Sequence, residues 1–107
     1  YDKKCDELGL QYLPSNKKYQ NSYHIYLVVV KNRNSLKKKL FKKGIATKIH
    51  YEIPIHLQTA FKHLNYKKGD LPVTEYLSNN ILSLPFYPGI EKRKINYLFK
   101  SLKELLN

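Results

Sequence analysis

The sequence predicts a small α/β (α+β) domain in which a short sheet of about three strands is covered by helices. Three observations predict this fold class. Apolar stretches rich in branched residues alternate with segments of helical periodicity, the last segment carries one continuous apolar stripe, and no unit of about 20 to 50 residues repeats. The 107 residues suffice for one domain, and a hydrophobic share of 42% is too high for a disordered chain.

The first part of the chain predicts a helix end, a connection and a strand. Apolar residues at Tyr1, Cys5 and Leu8 have helical spacing and indicate the last turns of a helix. Residues 11–22 are polar and aperiodic, as in a connection. Residues 23–30 are branched and aromatic at nearly every position, which predicts a central strand buried on both faces.

The next part predicts a helix followed by a second strand. Asn32, Asn34 and Ser35 offer N-cap oxygens, and Gly44 supplies a helix end. The apolar positions between them are Leu36, Leu40 and Phe41. Residues 45–51 then predict a strand with Thr47, Ile49 and Tyr51 on one face and Lys48 and His50 on the other.

The second half predicts three helices and one strand. Pro54 interrupts the second strand, and a short helix over 56–64 follows. A helix then begins near Pro72 with an inner face of Val73, Tyr76 and Leu77, before a strand over 81–84. A terminal amphipathic helix has the apolar stripe Ile95, Leu98, Phe99, Leu102, Leu105 and Leu106.

Composition limits the classes of function. The net charge of +12 fits either a lysine-rich solvated surface, which we favour, or attraction of phosphates, nucleotide sugars or nucleic acid. The single Cys5 can form neither an internal disulfide nor a cysteine-based zinc site, so we expect a reducing, cytoplasmic location. The longest apolar run, residues 25–30, is too short to cross a membrane. No methionine occurs and the chain starts at Tyr1, so we expect a piece of a longer protein.

The densest group of chemistry-bearing side chains lies around the end of the second predicted strand. Its members are His50, Tyr51, Glu52, His56, Gln58 and His63. Imidazole, phenol and amide groups together can orient a hydroxylated, anionic ligand, although each residue alone also has a structural explanation. The histidine spacing matches no compact metal motif, and we expect no metal site. The sequence contains neither a G-x-S-x-G motif nor a glycine-rich phosphate loop, so no self-contained catalytic set is visible.

The run GIATKIHYEIPIHLQTAFKHLNYKKGDLPVTEY at residues 44–76, followed by ILSLPFYP at 81–88, has specific motifs in a fixed order. It resembles the C-terminal part of the DegT/DnrJ/StrS family of pyridoxal-phosphate-dependent aminotransferases, which act on nucleotide-linked keto sugars. Residues 22–45 also resemble this family's strand, turn and helix. The resemblance implies the small C-terminal domain of a fold-type I aminotransferase over residues 22–107. Residues 1–21 would then be the end of a linking helix and a connection from a large domain.

The same resemblance implies a function for the full-length protein. It would be a homodimer that transfers an amino group, from glutamate as the expected amino donor, to a nucleotide-linked keto sugar for cell-surface polysaccharide or amino-sugar biosynthesis. The large domain would bind most of the pyridoxal 5'-phosphate and supply the catalytic lysine, so this chain alone would be inactive. His50 and Tyr51 would bind the hexose, and His56 would lie near the substrate. The His50–Tyr51 pair can face one ligand only if the strand ends or bends near Ile49.

Two other functions stay open. The charge motivates a basic α/β nucleic-acid-binding module, although the lysines are spread over several helices and no aromatic ribonucleoprotein motif occurs. The terminal helix motivates a noncatalytic interaction domain, in which Leu102, Leu105 and Leu106 meet a partner chain. We expect these leucines to pack on the domain's own sheet instead.

Overall fold

The computed structural model describes residues 1–13, 18–19 and 21–106. Within these ranges the chain forms four α-helices, two short 3₁₀ helices and one three-stranded sheet, which confirms the predicted fold class. In chain order the elements are α1 (Asp2–Glu7), β1 (Gln11–Tyr12), β2 (Tyr26–Val29), α2 (Arg33–Lys42), a first 3₁₀ helix (Ile55–Leu57), a second 3₁₀ helix (Thr59–Leu64), α3 (Pro72–Asn80), β3 (Ile81–Leu84) and α4 (Lys92–Leu106).

The sheet is antiparallel throughout, with the order β1-β2-β3. Strand β2 is central and mostly buried, as its continuous apolar run predicts, with Tyr26 opposite Leu84 and Val29 opposite Ile81. It begins three residues later than predicted, since Tyr23 has a φ of +51°, outside the extended region. Strand β1 lies within the segment that the sequence predicts as a connection. The sequence does not predict this strand, because two residues are too few to show periodicity. Residues 14–17 and 20 of that connection lie outside the described residues.

The core lies between the sheet and helices α1, α2 and α4. Its most buried side chains include Cys5, Val28, Leu36, Leu40, Leu82, Leu98, Phe99 and Leu102. The predicted inner positions of α2 and α4 are therefore largely confirmed. Phe41 is the exception in α2, because it is one residue beyond Leu40 and so is turned about 100° away from the core-facing stripe. Gly44 follows α2 with a φ of +74°, as expected for a helix end, whereas the Asn32 cap makes no side-chain hydrogen bond.

The predicted second strand is wrong in extent. Residues 45–51 make a single bridge to β3, in which Lys48 and Ser83 exchange backbone hydrogen bonds of 3.1 and 2.8 Å. Burial alternates only over residues 45–48, where Ile45 and Thr47 are buried whereas Ala46 and Lys48 are exposed. Tyr51, predicted on the same face as Thr47, is exposed, because the chain leaves strand pairing after Lys48. Over those four residues alternating hydrophobicity reports which side chains are covered, but it does not establish a ladder of paired strands.

Two helical predictions also need correction. The helix predicted over 56–64 is divided into two 3₁₀ helices at Gln58, whose backbone is extended with ψ of 146°. In α3 the predicted inner residues Val73 and Tyr76 are exposed, and the buried residue is Ser78. The reason is that the inner face of α3 contacts backbone carbonyls and a histidine, so its inward side chains are polar. Among the described residues, no helix combines the length and apolar character that a membrane crossing needs.

Candidate functional site

The predicted His50–Tyr51 pair lies in a segment between strand β3 and helix α3. We call residues 48–52 the site segment. Its first residue, Lys48, bridges to Ser83 of β3, and the chain leaves regular strand pairing after that bridge. The peptide bond between His50 and Tyr51 is cis. Because the site segment leaves regular strand pairing after Lys48, its position depends on side chains from neighbouring elements.

The two side chains of the pair differ in exposure. The His50 ring is half-buried, and its Nδ1 hydrogen-bonds the Ser83 hydroxyl at 2.7 Å. Tyr51 is 70% exposed, and its ring meets the His50 ring edge-on with centroids 5.5 Å apart. Since Nδ1 is engaged, Nε2 is the His50 nitrogen that can meet a ligand. The pair thus offers one ring nitrogen and one phenol hydroxyl, both suited to sugar hydroxyls.

The backbone of the site segment is held from the side of α3. The Ser78 hydroxyl lies 2.9 Å from the Tyr51 carbonyl oxygen and 2.8 Å from that of Glu52. A hydroxyl has one proton, so its donation is shared between the two carbonyls. The buried Arg33 guanidinium in turn donates to the carbonyl oxygens of Ser78 and Ile81. Arg33 of α2 thereby binds the junction between α3 and β3, beneath the site segment.

His56 lies elsewhere and has a different environment. It is 7% exposed, and its Nε2–H donates to Glu75 Oε1 at 3.1 Å. The same oxygen accepts the Gly69 N–H at 2.7 Å. This backbone hydrogen bond, together with the one from His56, holds the pKa of Glu75 below its ordinary value. His56 Nδ1 is buried without a hydrogen-bond partner in the described part of the chain.

The structure therefore divides the predicted site residues into two groups. His50, Tyr51 and Glu52 share the site segment, and the Glu52 carboxylate lies 3.9 Å from the Arg33 guanidinium. His56 is occupied by Glu75, and the Gln58 amide donates to the Ile53 carbonyl at 3.2 Å. His63 is exposed on the second 3₁₀ helix.

Four supporting residues are absent from the sequence prediction: Arg33, Glu75, Ser78 and Ser83. The serine within the apolar run Ile-Leu-Ser-Leu of β3 is the one signal that points to such a role. A hydroxyl that enters a buried strand needs a partner, and His50 is that partner.

Solved aminotransferase structures contain this fold. An aminotransferase from Brucella abortus superposes on the chain with a TM-score of 0.86 at 30% identity, covering 98% of this chain and 28% of that one. The fold thus defines the class as an aminotransferase-type small α+β unit. A sequence model of the DegT/DnrJ/EryC1/StrS aminotransferase family matches residues 1–103, and the chain belongs to this family. The family resemblance of the sequence is therefore confirmed.

Curated relatives support the same assignment. The chain is 35% identical over 82 residues to a protein of Geobacillus stearothermophilus named "Pleiotropic regulatory protein", covering 77% of this chain and 22% of that protein. It is 33% identical over 89 residues to a "dTDP-3-amino-3,4,6-trideoxy-alpha-D-glucose transaminase" of Micromonospora megalomicea, covering 81% of this chain and 24% of that protein. The chain spans about a quarter of the length of these relatives.

The described residues do not by themselves fit pyridoxal phosphate. A lysine that forms a Schiff base is held in a desolvated site, whereas every described lysine is at least partly exposed. The four glycines stand singly along the sequence, so they form no glycine-rich phosphate-binding loop. The described residues also contain no group of three or more histidine, cysteine or acidic side chains placed to hold a metal ion.

Proposed function

We propose that this chain is the C-terminal small domain of a pyridoxal-phosphate-dependent transaminase that aminates a nucleotide-linked keto sugar, with glutamate as the amino donor. The observation that carries the proposal is the pair of a half-buried His50 and an exposed Tyr51 on an anchored segment, in a chain of this aminotransferase family. Relatives named as dTDP- and UDP-sugar aminotransferases support the substrate class. They do not favour the alternative of a nucleic-acid-binding module.

The pair would recognise the sugar by hydrogen bonding. His50 Nε2 and the Tyr51 hydroxyl would bind hexose oxygens, and the exposed lysines nearby, such as Lys48, would attract the diphosphate. His56 remains a predicted substrate residue. His56 is buried against Glu75, which supports an indirect contribution to substrate binding. In this role His56 would hold residues 55–70 in place beside α3.

The chemistry of amino transfer would come from the cofactor, which supplies an electron sink when it is bound. Every described lysine is at least partly exposed, and the sequence has no glycine-rich phosphate loop. We therefore propose that another part of the full-length protein binds the cofactor. This chain alone would then be inactive. We also expect the full-length protein to be a cytoplasmic homodimer that supplies amino sugars for cell-surface polysaccharide.

The test compares sugar nucleotides with free nucleotides. In the full-length protein, calorimetry would give dissociation constants for dTDP-glucose and UDP-N-acetylglucosamine, and for dTDP and UDP. His50→Ala and Tyr51→Phe should each weaken binding of the better sugar nucleotide by roughly 5-fold, as expected for one lost hydrogen bond, and leave the free nucleotide unchanged.

His24→Ala is the matched control, because His24 is an exposed histidine outside the site segment. The proposal is wrong if His50→Ala and Tyr51→Phe bind both sugar nucleotides as the unchanged protein does. The proposal is equally wrong if the two substitutions weaken binding of the free nucleotides as much as binding of the sugar nucleotides. It also fails if the unchanged protein binds neither sugar nucleotide.

A further inference from the structure

Two buried serines contact the site segment from different elements. Ser83 of β3 contacts the His50 ring, and Ser78 of α3 contacts the Tyr51 and Glu52 carbonyls. Ser83 is 4% exposed and Ser78 is 5% exposed, so bulk water cannot replace the hydrogen-bond partners of their hydroxyls. We propose that Ser83 and Ser78 are positioning residues that fix the His50–Tyr51 pair for sugar binding. This inference rests on the proposed function of the pair.

Ser83 fixes the ring of His50. It is the only polar residue of the buried strand Ile81–Leu84, and both of its backbone groups are paired with Lys48, two residues before His50. This pairing fixes the position of the Ser83 hydroxyl relative to the site segment, 2.7 Å from His50 Nδ1. Rotation of the His50 ring would leave a buried hydroxyl without a partner, which is costly. The contact thus selects one ring orientation, with Nε2 on the opposite side of the ring.

Ser78 fixes the backbone of the pair. It is the only buried residue of α3, and its hydroxyl holds two consecutive carbonyls at 2.9 and 2.8 Å. Its own carbonyl accepts a hydrogen bond from the buried Arg33 guanidinium, so Ser78 is itself held in place. The peptide units that follow His50 are therefore restrained by a helix, while the His50 ring is restrained by a strand.

The two contacts together preorganise the pair before a ligand arrives. A ligand-binding pair on irregular backbone would otherwise lose conformational freedom on binding, and that loss weakens affinity. Removing the Ser83 hydroxyl should therefore reduce affinity for the sugar nucleotide although Ser83 itself is buried. We expect Ser83→Ala to weaken binding of the sugar nucleotide by roughly 3- to 10-fold, and Ser78→Ala by a similar factor.

The experiment measures the histidine directly as well as binding. Nitrogen-15 NMR of the full-length protein with labelled imidazoles would report the tautomer of His50, assigned through the signal lost in His50→Gln. Ser83→Ala should change the ratio of the two tautomers, because it removes the hydroxyl that contacts Nδ1. Ser83→Thr keeps the hydroxyl and should restore the His50 signals toward those of the unchanged protein. Ser101→Ala is the matched control, because Ser101 is a buried serine on α4 and has no hydrogen bond to the site segment.

The outcomes separate this inference from the proposed function. If Ser83→Ala leaves the His50 signals unchanged, or changes them no more than Ser101→Ala does, the positioning role is refuted. If Ser83→Ala changes the signals but leaves sugar-nucleotide binding intact while His50→Ala weakens it, the positioning role is refuted and the proposed function stands. If His50→Ala does not weaken sugar-nucleotide binding either, the proposed function itself fails.

Discussion

Replacing Arg33 with methionine tests how the structure beneath the site is held together. Arg33 is 4% exposed, and its guanidinium donates to the Ser78 carbonyl and, at 3.4 Å, to the Ile81 carbonyl. These carbonyls lie at the end of α3 and the start of β3. The last carbonyls of a helix lack partners within the helix and form its negative end, so a buried cation there stabilises the helix.

The magnitude follows mainly from the two carbonyl contacts, because the other partners of Arg33, Asn34 at 3.3 Å and Glu52 at 3.9 Å, are exposed to solvent. A hydrogen bond to a charged group contributes about 1.5–3 kcal/mol, and the 3.4 Å contact with Ile81 is long enough to contribute much less. Methionine also removes a buried charge, and the desolvation cost recovered in this way offsets part of the loss. The net effect of Arg33→Met should be about 2 kcal/mol in the free energy of unfolding. Arg33→Lys keeps the charge but not the fork of donors, and should lose about 1 kcal/mol.

Arg93 is the matched control, since the chain contains only these two arginines. Its side chain is 80% exposed and pairs with Glu91 at 2.6 Å, so Arg93→Met should cost about 0.5 kcal/mol or less. Urea unfolding of each variant, followed by circular dichroism, measures the difference. Equal losses for Arg33→Met and Arg93→Met, or a loss below about 0.5 kcal/mol at Arg33, would refute the role assigned to this residue.

Two further predictions concern α3 and the terminal helix. The pKa of Glu75 is lowered in the folded protein, so its contribution to stability is present above its ordinary pKa of 4.5 and is lost as the pH falls through the folded value. Urea midpoints measured below about pH 5 should therefore fall less steeply in Glu75→Gln than in the unchanged protein, and identical slopes would contradict this. Leu102 is fully buried whereas Leu106 is 41% exposed, so alanine should cost about 3 kcal/mol at Leu102 and under about 1 kcal/mol at Leu106. Equal losses in urea unfolding would show that Leu106 is also covered.

The parts of the fold that the sequence predicts well are those with several turns or a continuous apolar run. The stripe containing Leu98, Phe99 and Leu102 is buried, and strand Ile81–Leu84 has the predicted bounds. Periodicity over such lengths records which side faces the core. The two-residue strand Gln11–Tyr12 has no period to detect, and residues 45–48 alternate in burial without forming a ladder.

The candidate site was predictable only in part. The family resemblance predicts His50 and Tyr51 as the candidate pair, which stays a prediction, and it does not predict the contacts that hold them. Apolar helix residues are ordinarily taken as the inner face, but in α3 the buried residue is Ser78, because the surface beneath it consists of carbonyl oxygens. The functions of Arg33 and Ser83 are likewise set by partners that are distant in sequence, which no local pattern reveals.

Transfer of labelled nitrogen shows whether this chain belongs to an enzyme that aminates nucleotide-linked sugars. The full-length protein, loaded with pyridoxal phosphate, is supplied with nitrogen-15 glutamate and nucleotide-linked keto sugars of the dTDP and UDP series, and the label is followed with mass spectrometry. We expect nitrogen-15 in the sugar of one series, and less of it in His50→Ala than in His24→Ala. Label confined to glutamate in every reaction would contradict it.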